Sequence, residues 1–150
     1  MITFVKTDAK HQDFQNLVKL LDADLLIRDG ELHHFYAQFN KVDFIKNVII
    51  AYVDDEAIGC GAIKMYDEQT MEIKRMFVKE GYRNQGIAAK LLTHLEDWVK
   101  KLGFQKCILE TGNNQPEAIR LYQKCNYKII PNYGQYEGVE TSFCFEKVIG

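Results

Sequence analysis

Phe14, Leu17, Val18, Leu21 and Leu25 recur three or four positions apart, the spacing that lines one face of an α-helix. After Gly30 the same rhythm returns in Leu32, Phe35, Tyr36 and Phe39, which predicts a second helix. The pattern then changes. The run NVIIAYVDDE (47–56) leads through the polar Asp54, Asp55 and Glu56 into AIGCGAIKMY (57–66), the signature of a hairpin. A further turn at Asp67, Glu68 and Gln69 leads into MEIKRMFV (71–78), so three strands form an antiparallel meander.

The clearest helical face follows. Ile87, Ala88, Leu91, Leu92, Leu95, Trp98, Val99 and Leu102 share one side, charged residues hold the other, and Gly103 supplies a stop. KCILE (106–110) reads as a buried strand, parallel to its predecessor because a helix intervenes. Pro116 opens a short helix carrying Ala118, Ile119, Leu121 and Tyr122. YKIIP (127–131) and SFCFEKV (142–148) close the chain as strands around the loop NYGQYEGVE (132–140). The sum is one α/β domain of the α+β type over residues 1–150. Its mixed sheet has about six to seven strands, flanked by about four helices.

Composition narrows the function. The chain has 150 residues, the size of one ordinary domain. With 47% hydrophobic and 27% charged residues it reads as globular. A net charge of -2 argues against a nucleic-acid partner. Cys60, Cys107, Cys125 and Cys144 form no C-x-x-C pair, and His33 and His34 are adjacent rather than spaced for a metal. No metal is expected. Cys60, Cys107 and Cys144 lie among strand-like apolar residues and read as buried free thiols. The longest apolar run is too short to span a membrane and the first residues carry no signal-peptide pattern, so a cytoplasmic location is expected.

Candidate chemistry sits where the third strand runs into the long helix. Arg83, Asn84, Gln85, Gly86, Ile87 and Ala88 make that junction. Unpaired N–H groups and the helix dipole favour an anion there. Gly86 admits close backbone approach, Ala88 keeps the first turn slim, and Arg83 adds a charged donor. Such a site suits a pyrophosphate, yet the Gly-Lys-Ser/Thr ending of a P-loop and the G-x-G-x-x-G of a dinucleotide fold are both absent. Arg-x-x-Gly-x-Ala after a meander instead resembles the R/Q-x-x-G-x-G/A motif of the GNAT superfamily, the acyl-CoA-dependent N-acetyltransferases. QPEAIRLYQKCNY (115–127) resembles a second family segment, with Gln115 where Asn is usual and Asn126 where Gly is usual. Asn tolerates the left-handed conformation that Gly supplies at a helix end.

The resemblance spans nearly the whole chain and implies acetyl-CoA as co-substrate, with no metal. It implies that the backbone of Met76, Phe77 and Val78 pairs with the pantetheine arm and polarises the acetyl carbonyl. The adjacent charges Lys74 and Arg75, followed by three apolar residues, break strand alternation as a bulge would; a fully buried strand end explains the apolar run equally well. Tyr122 falls at the family's tyrosine, a phenol able to protonate the departing thiolate. Glu72 falls on or near the position of a general base in some members, others using water chains; a strand carboxylate paired with Lys74 or another cation is the alternative reading of it, and Glu110 is a weaker candidate base. Gln115 can offer an amide to the cofactor. Arg28, His33, Tyr36, Tyr133 and Tyr136 are candidates for the acceptor side. The expected reaction is acetylation of a small-molecule primary amine. A peptide or protein N-acetyltransferase and a non-catalytic CoA-binding sensor are the other readings. Family members are often dimers, which makes a homodimer possible.

Overall fold

The computed structural model describes residues 1–30 and 45–150. The second helix expected around Leu32 to Phe39, with His33 and Tyr36, lies outside the described residues. Seven strands form one sheet: β1 (Ile2–Thr7), β2 (Asn47–Val53), β3 (Glu56–Asp67), β4 (Thr70–Val78), β5 (Lys106–Gly112), β6 (Lys128–Ile130) and β7 (Ser142–Val148). Their order across the sheet is β1-β2-β3-β4-β5-β7-β6. Every pairing is antiparallel except β4 with β5. Three helices are described: α1 (Gln12–Asp29), α2 (Ile87–Lys101) and α3 (Pro116–Lys124).

Helices cover both faces. Val48 and Ile50 of β2 pack with Phe14, Leu17 and Leu21 of α1, while Ile49 and Ala51 pack with Leu91, Leu95 and Val99 of α2. Burial on both sides is why residues 48–51 read as an unbroken apolar run rather than an alternation. Asp54 and Asp55 both take positive φ, 48° and 68°, the two-residue turn whose twist matches a hairpin. One strand was not anticipated: β1, at the sheet edge, buries only Ile2 and Phe4 partly and exposes Val5, too weak an alternation to mark a strand.

α2 and α3 end alike. Phe104 N–H donates to Val99 and Gly103 N–H to Lys100 (3.2 and 3.0 Å), around Gly103 at φ 90°. Tyr127 N–H donates to Tyr122 and Asn126 N–H to Gln123 (2.9 and 3.1 Å), around Asn126 at φ 73°. Asn126 therefore does the work expected of glycine in this paired-bond helix stop. It also brings the Tyr127 ring to 5.8 Å from that of Tyr122.

The parallel pair is short. Only Thr70–Glu72 of β4 face Lys106–Ile108 of β5. β5 continues against β7 as far as Gly112, whereas β4 has no strand on its β5 side after Glu72 among the described residues. A bulge accompanies the separation. Ala62 pairs with Lys74 and Cys60 with Phe77, so Gly61 faces two residues, Arg75 and Met76. Arg75 sits at φ 59°, which costs a non-glycine residue about 1–2 kcal/mol. Its guanidinium bonds Asp22 of α1 at 2.9 Å and its carbonyl accepts the Cys60 thiol at 3.3 Å. The irregularity anticipated at Lys74–Val78 is thus a real bulge, and bulges bend and twist a strand.

Candidate active site

The gap between β4 and β5 is a cleft, walled by Leu21 and Leu25 of α1 on one side and Ala118 and Tyr122 of α3 on the other. Past the opening, β4 leads through residues 79–86 to the N-terminus of α2. Its first ladder bond is Lys90 N–H to Gly86 O at 3.1 Å. The N–H groups of Ile87, Ala88 and Ala89 thus precede the ladder, with no backbone acceptor among the described residues. Asn84 and Gly86 take positive φ, 64° and 78°. Asn84, Gln85 and Gly86 are exposed, so the loop presents backbone to solvent. A Cβ added at Gly86 would meet nothing within 4 Å, so glycine is needed here for its conformation and not for space in the unliganded fold. Arg83 is folded back: its Nε donates to Val78 O at 2.8 Å, its guanidinium carbon lies 5.5 Å from the Phe77 ring centre, and one nitrogen lies 3.8 Å from Asp24.

Along the cleft, Met76 contributes to the lining and packs, like Val78, against the α2-side core, while Phe77 points into the α1-side core. What β4 offers the cleft is a backbone edge that no described strand covers after Glu72, onto which an extended ligand can add as a strand does. Gly61 makes the bulge possible. A Cβ there would lie 2.6 Å from Met76 Sδ and 2.7 Å from Leu95 Cδ1. Gly61→Ala is therefore expected to destabilise the protein by roughly 1–3 kcal/mol and to push Met76 into the cleft, checked by denaturant unfolding and a crystal structure of the variant.

Tyr122 lines the cleft at 7% exposure, its ring near Tyr127 and 6.1 Å from Phe145. Burial, then the negative charge of Glu110, pushes its phenol above the ordinary range, so it holds its proton at neutral pH. Gln115 caps α3 through its backbone, accepting from Ala118 and Ile119 N–H, and lines the cleft. Its side chain makes no cap bond.

Beyond the cover of α1, the cleft floor is charged. Glu72, 8% exposed, accepts the Tyr133 hydroxyl at 2.6 Å and lies 3.4 Å from Lys74 Nζ. Glu110 accepts the Ser142 hydroxyl at 2.7 Å. Tyr136 lines the cleft beside both carboxylates, and burial together with their charge raises its phenol. Arg28 of α1 forms ion pairs with Asp24 of the same helix at 3.4 Å and with Glu117 of α3, joining two of the helices that wall the cleft. Glu117 and Ser142 had no signal in the sequence, since each meets its partner from a different element. The buried thiols of Cys60 and Cys107 are pushed up to about 12 and that of Cys144 to about 11, each chiefly by burial, so none is a ready nucleophile. Among the described residues no three His, Cys, Asp or Glu side chains converge as metal ligands.

A splayed β4–β5 pair, a strand bulge beside the opening and a helix N-terminus with free N–H groups are the features of the fold that bear on a ligand. The chain belongs to the acetyltransferase (GNAT) family, whose profile matches residues 14–127. It is 36% identical over 106 residues to "Probable N-acetyltransferase 14" of Xenopus tropicalis, covering 70% of this chain and 51% of that protein. It is 34% identical over 100 residues to the IAA acetyltransferase of Azospirillum brasilense, covering 66% of this chain and 65% of that one. The matches thus span half to two thirds of these relatives' own length. A GNAT family acetyltransferase from Elizabethkingia anophelis, solved with acetyl-CoA bound, superposes with a TM-score of 0.69 at 25% identity, covering 98% of this chain and 97% of that one.

Proposed function

We propose that this protein transfers the acetyl group of acetyl-CoA to the primary amine of a small molecule, by direct attack with both substrates bound. The observation that carries the reading is the cleft between β4 and β5, with Tyr122 on its wall and the α2 N-terminus following β4. In this reading the N–H groups from Asn84 to Ala88 hold the pyrophosphate, and Arg83 turns toward it from Val78. The free edge of Met76–Val78 pairs with the pantetheine arm, and an N–H of that stretch polarises the acetyl carbonyl as an oxyanion hole does. Gln115 offers its amide to the arm. The amine nitrogen attacks the carbonyl carbon, the C–S bond breaks, and the thiolate takes the phenol proton of Tyr122. The surplus proton of the amine leaves through Glu72, directly or by way of water.

The charged floor of Glu72, Lys74 and Glu110 favours a small polar acceptor. A peptide N-acetyltransferase is the second reading, favoured by the recessed Tyr136, at 3% exposure. In this reading Arg28 exchanges its ion pairs for an acceptor or for the entering arm. No described helix is long and apolar enough to cross a membrane, and a cytoplasmic location belongs to the same proposal. A screen of small amines and peptides with free N-termini, read as free CoA thiol, tests it. The expected result is turnover of one class of small amine and none of peptides. Faster peptide turnover would select the second reading, and no thiol release with any acceptor would refute acetyl transfer.

A further inference from the structure

The proposed acetyl transfer leaves open what aims Glu72. Both oxygens of this carboxylate are engaged, Oε2 by the Tyr133 hydroxyl at 2.6 Å and Oε1 by Lys74 Nζ at 3.4 Å. The two contacts differ in kind. Lys74 lies two residues along the same strand, on the same side, and rides with Glu72 wherever β4 goes. Tyr133 arrives from the closing loop, 61 positions away. Its distance falls in the short range of hydroxyl–carboxylate bonds, the stronger of the two contacts.

The loop is a fixed platform for that hydroxyl. Asn132 Nδ2 donates to Val139 O at 2.9 Å and to Ser142 O at 3.1 Å, closing the loop on itself. The Tyr133 ring meets Tyr66 and Tyr136 edge-on, at 5.2 and 5.8 Å between centres. Burial and the charge of Glu72 raise the Tyr133 phenol well above its ordinary value, so it remains a donor.

We propose that Tyr133 is a positioning residue for the acetyl transfer: its hydroxyl sets the direction of the Glu72 carboxylate at the cleft floor and seats the loop that carries Tyr136. Tyr133 thus acts behind the carboxylate and does not itself touch the acceptor. Without it, the carboxylate turns to the Lys74 ammonium and the loop loses its attachment to β4.

The proposal rests on the function proposed above, and its test separates the two. Binding is measured with acetyl-CoA, and turnover with the amine acetylated fastest in the screen. Tyr133→Phe is expected to lower kcat about tenfold or more, the usual weight of a hydrogen bond to a charged group, with the KM for acetyl-CoA within twofold. Glu72→Gln keeps a carbonyl acceptor for Tyr133 but removes the charge. The double variant is expected to be no slower than Glu72→Gln alone, because both changes act through one group. Hydrogen exchange over residues 133–141 is expected to quicken in Tyr133→Phe and to stay slow in Glu72→Gln. A Tyr133→Phe kcat within twofold of wild type, losses that multiply in the double variant, or exchange unchanged by Tyr133→Phe would each overturn the role. A wild-type protein that neither binds acetyl-CoA nor acetylates any amine refutes the proposed function instead.

Discussion

Gly86→Glu is expected to abolish the stabilisation that acetyl-CoA gives the wild-type protein. At a ligand concentration 100 times Kd, binding to the folded state alone adds about 2.7 kcal/mol. For a protein of this size that is a rise of roughly 5–10 °C in melting temperature. The glutamate places bulk and negative charge at the N-cap of α2, where the proposed pyrophosphate meets free N–H groups. The effect on the unliganded protein is far smaller. No atom lies within 4 Å of an added Cβ at Gly86, so the substitution has room. Left-handed strain at φ 78° costs about 1–2 kcal/mol, partly offset because a carboxylate is favourable at a helix N-terminus. A thermal-shift series with and without acetyl-CoA reads both effects; a ligand shift equal to that of wild type would remove this loop from the cofactor site.

Tyr122→Phe separates binding from chemistry. The ring is packed between Tyr127 and Phe145, and phenylalanine keeps that packing while removing one oxygen. Acetyl-CoA affinity is therefore expected to stay within a few-fold of wild type. Turnover at pH 7 is expected to fall by about 10²-fold or more, the usual weight of a positioned general acid. The pH dependence carries a sign. Because burial and Glu110 raise the phenol, Tyr122 keeps its proton into the alkaline range. The wild-type rate should then show no fall from Tyr122 deprotonation below the ordinary phenol value of about 10. Unchanged turnover in Tyr122→Phe would take the acid role from this residue.

Local features of the fold were legible wherever a short stretch carries its own physics. α2 shows its buried face in Ile87, Leu91, Leu95 and Val99, and all four are buried. Asn126 takes the left-handed conformation that its place after a helix called for. The charged pair Lys74–Arg75 before three apolar residues betrayed a bulge, because alternation cannot survive an extra residue. The separation of β4 from β5 had no local signal, since it depends on where the bulge falls relative to a partner 30 or more residues away. The same holds for the site's polar contacts. Glu72 and Tyr133 were both singled out, but for different roles; only the folded chain joins them. Arg28 is a candidate for the acceptor side in the sequence, and its pairing with Glu117 depends on α1 and α3 meeting in the fold. The weak β1 is an edge strand held by its pairing with β2, which six residues of sequence do not announce.

The proposed function stands or falls on whether the β4–β5 cleft and the α2 N-terminus together form a site for acetyl-CoA. Isothermal titration of acetyl-CoA into the wild-type protein tests it most directly. Saturable binding of one acetyl-CoA per chain is expected, lost in Gly86→Glu and retained in Tyr122→Phe. Folded wild-type protein that takes up no acetyl-CoA at millimolar concentration would contradict it.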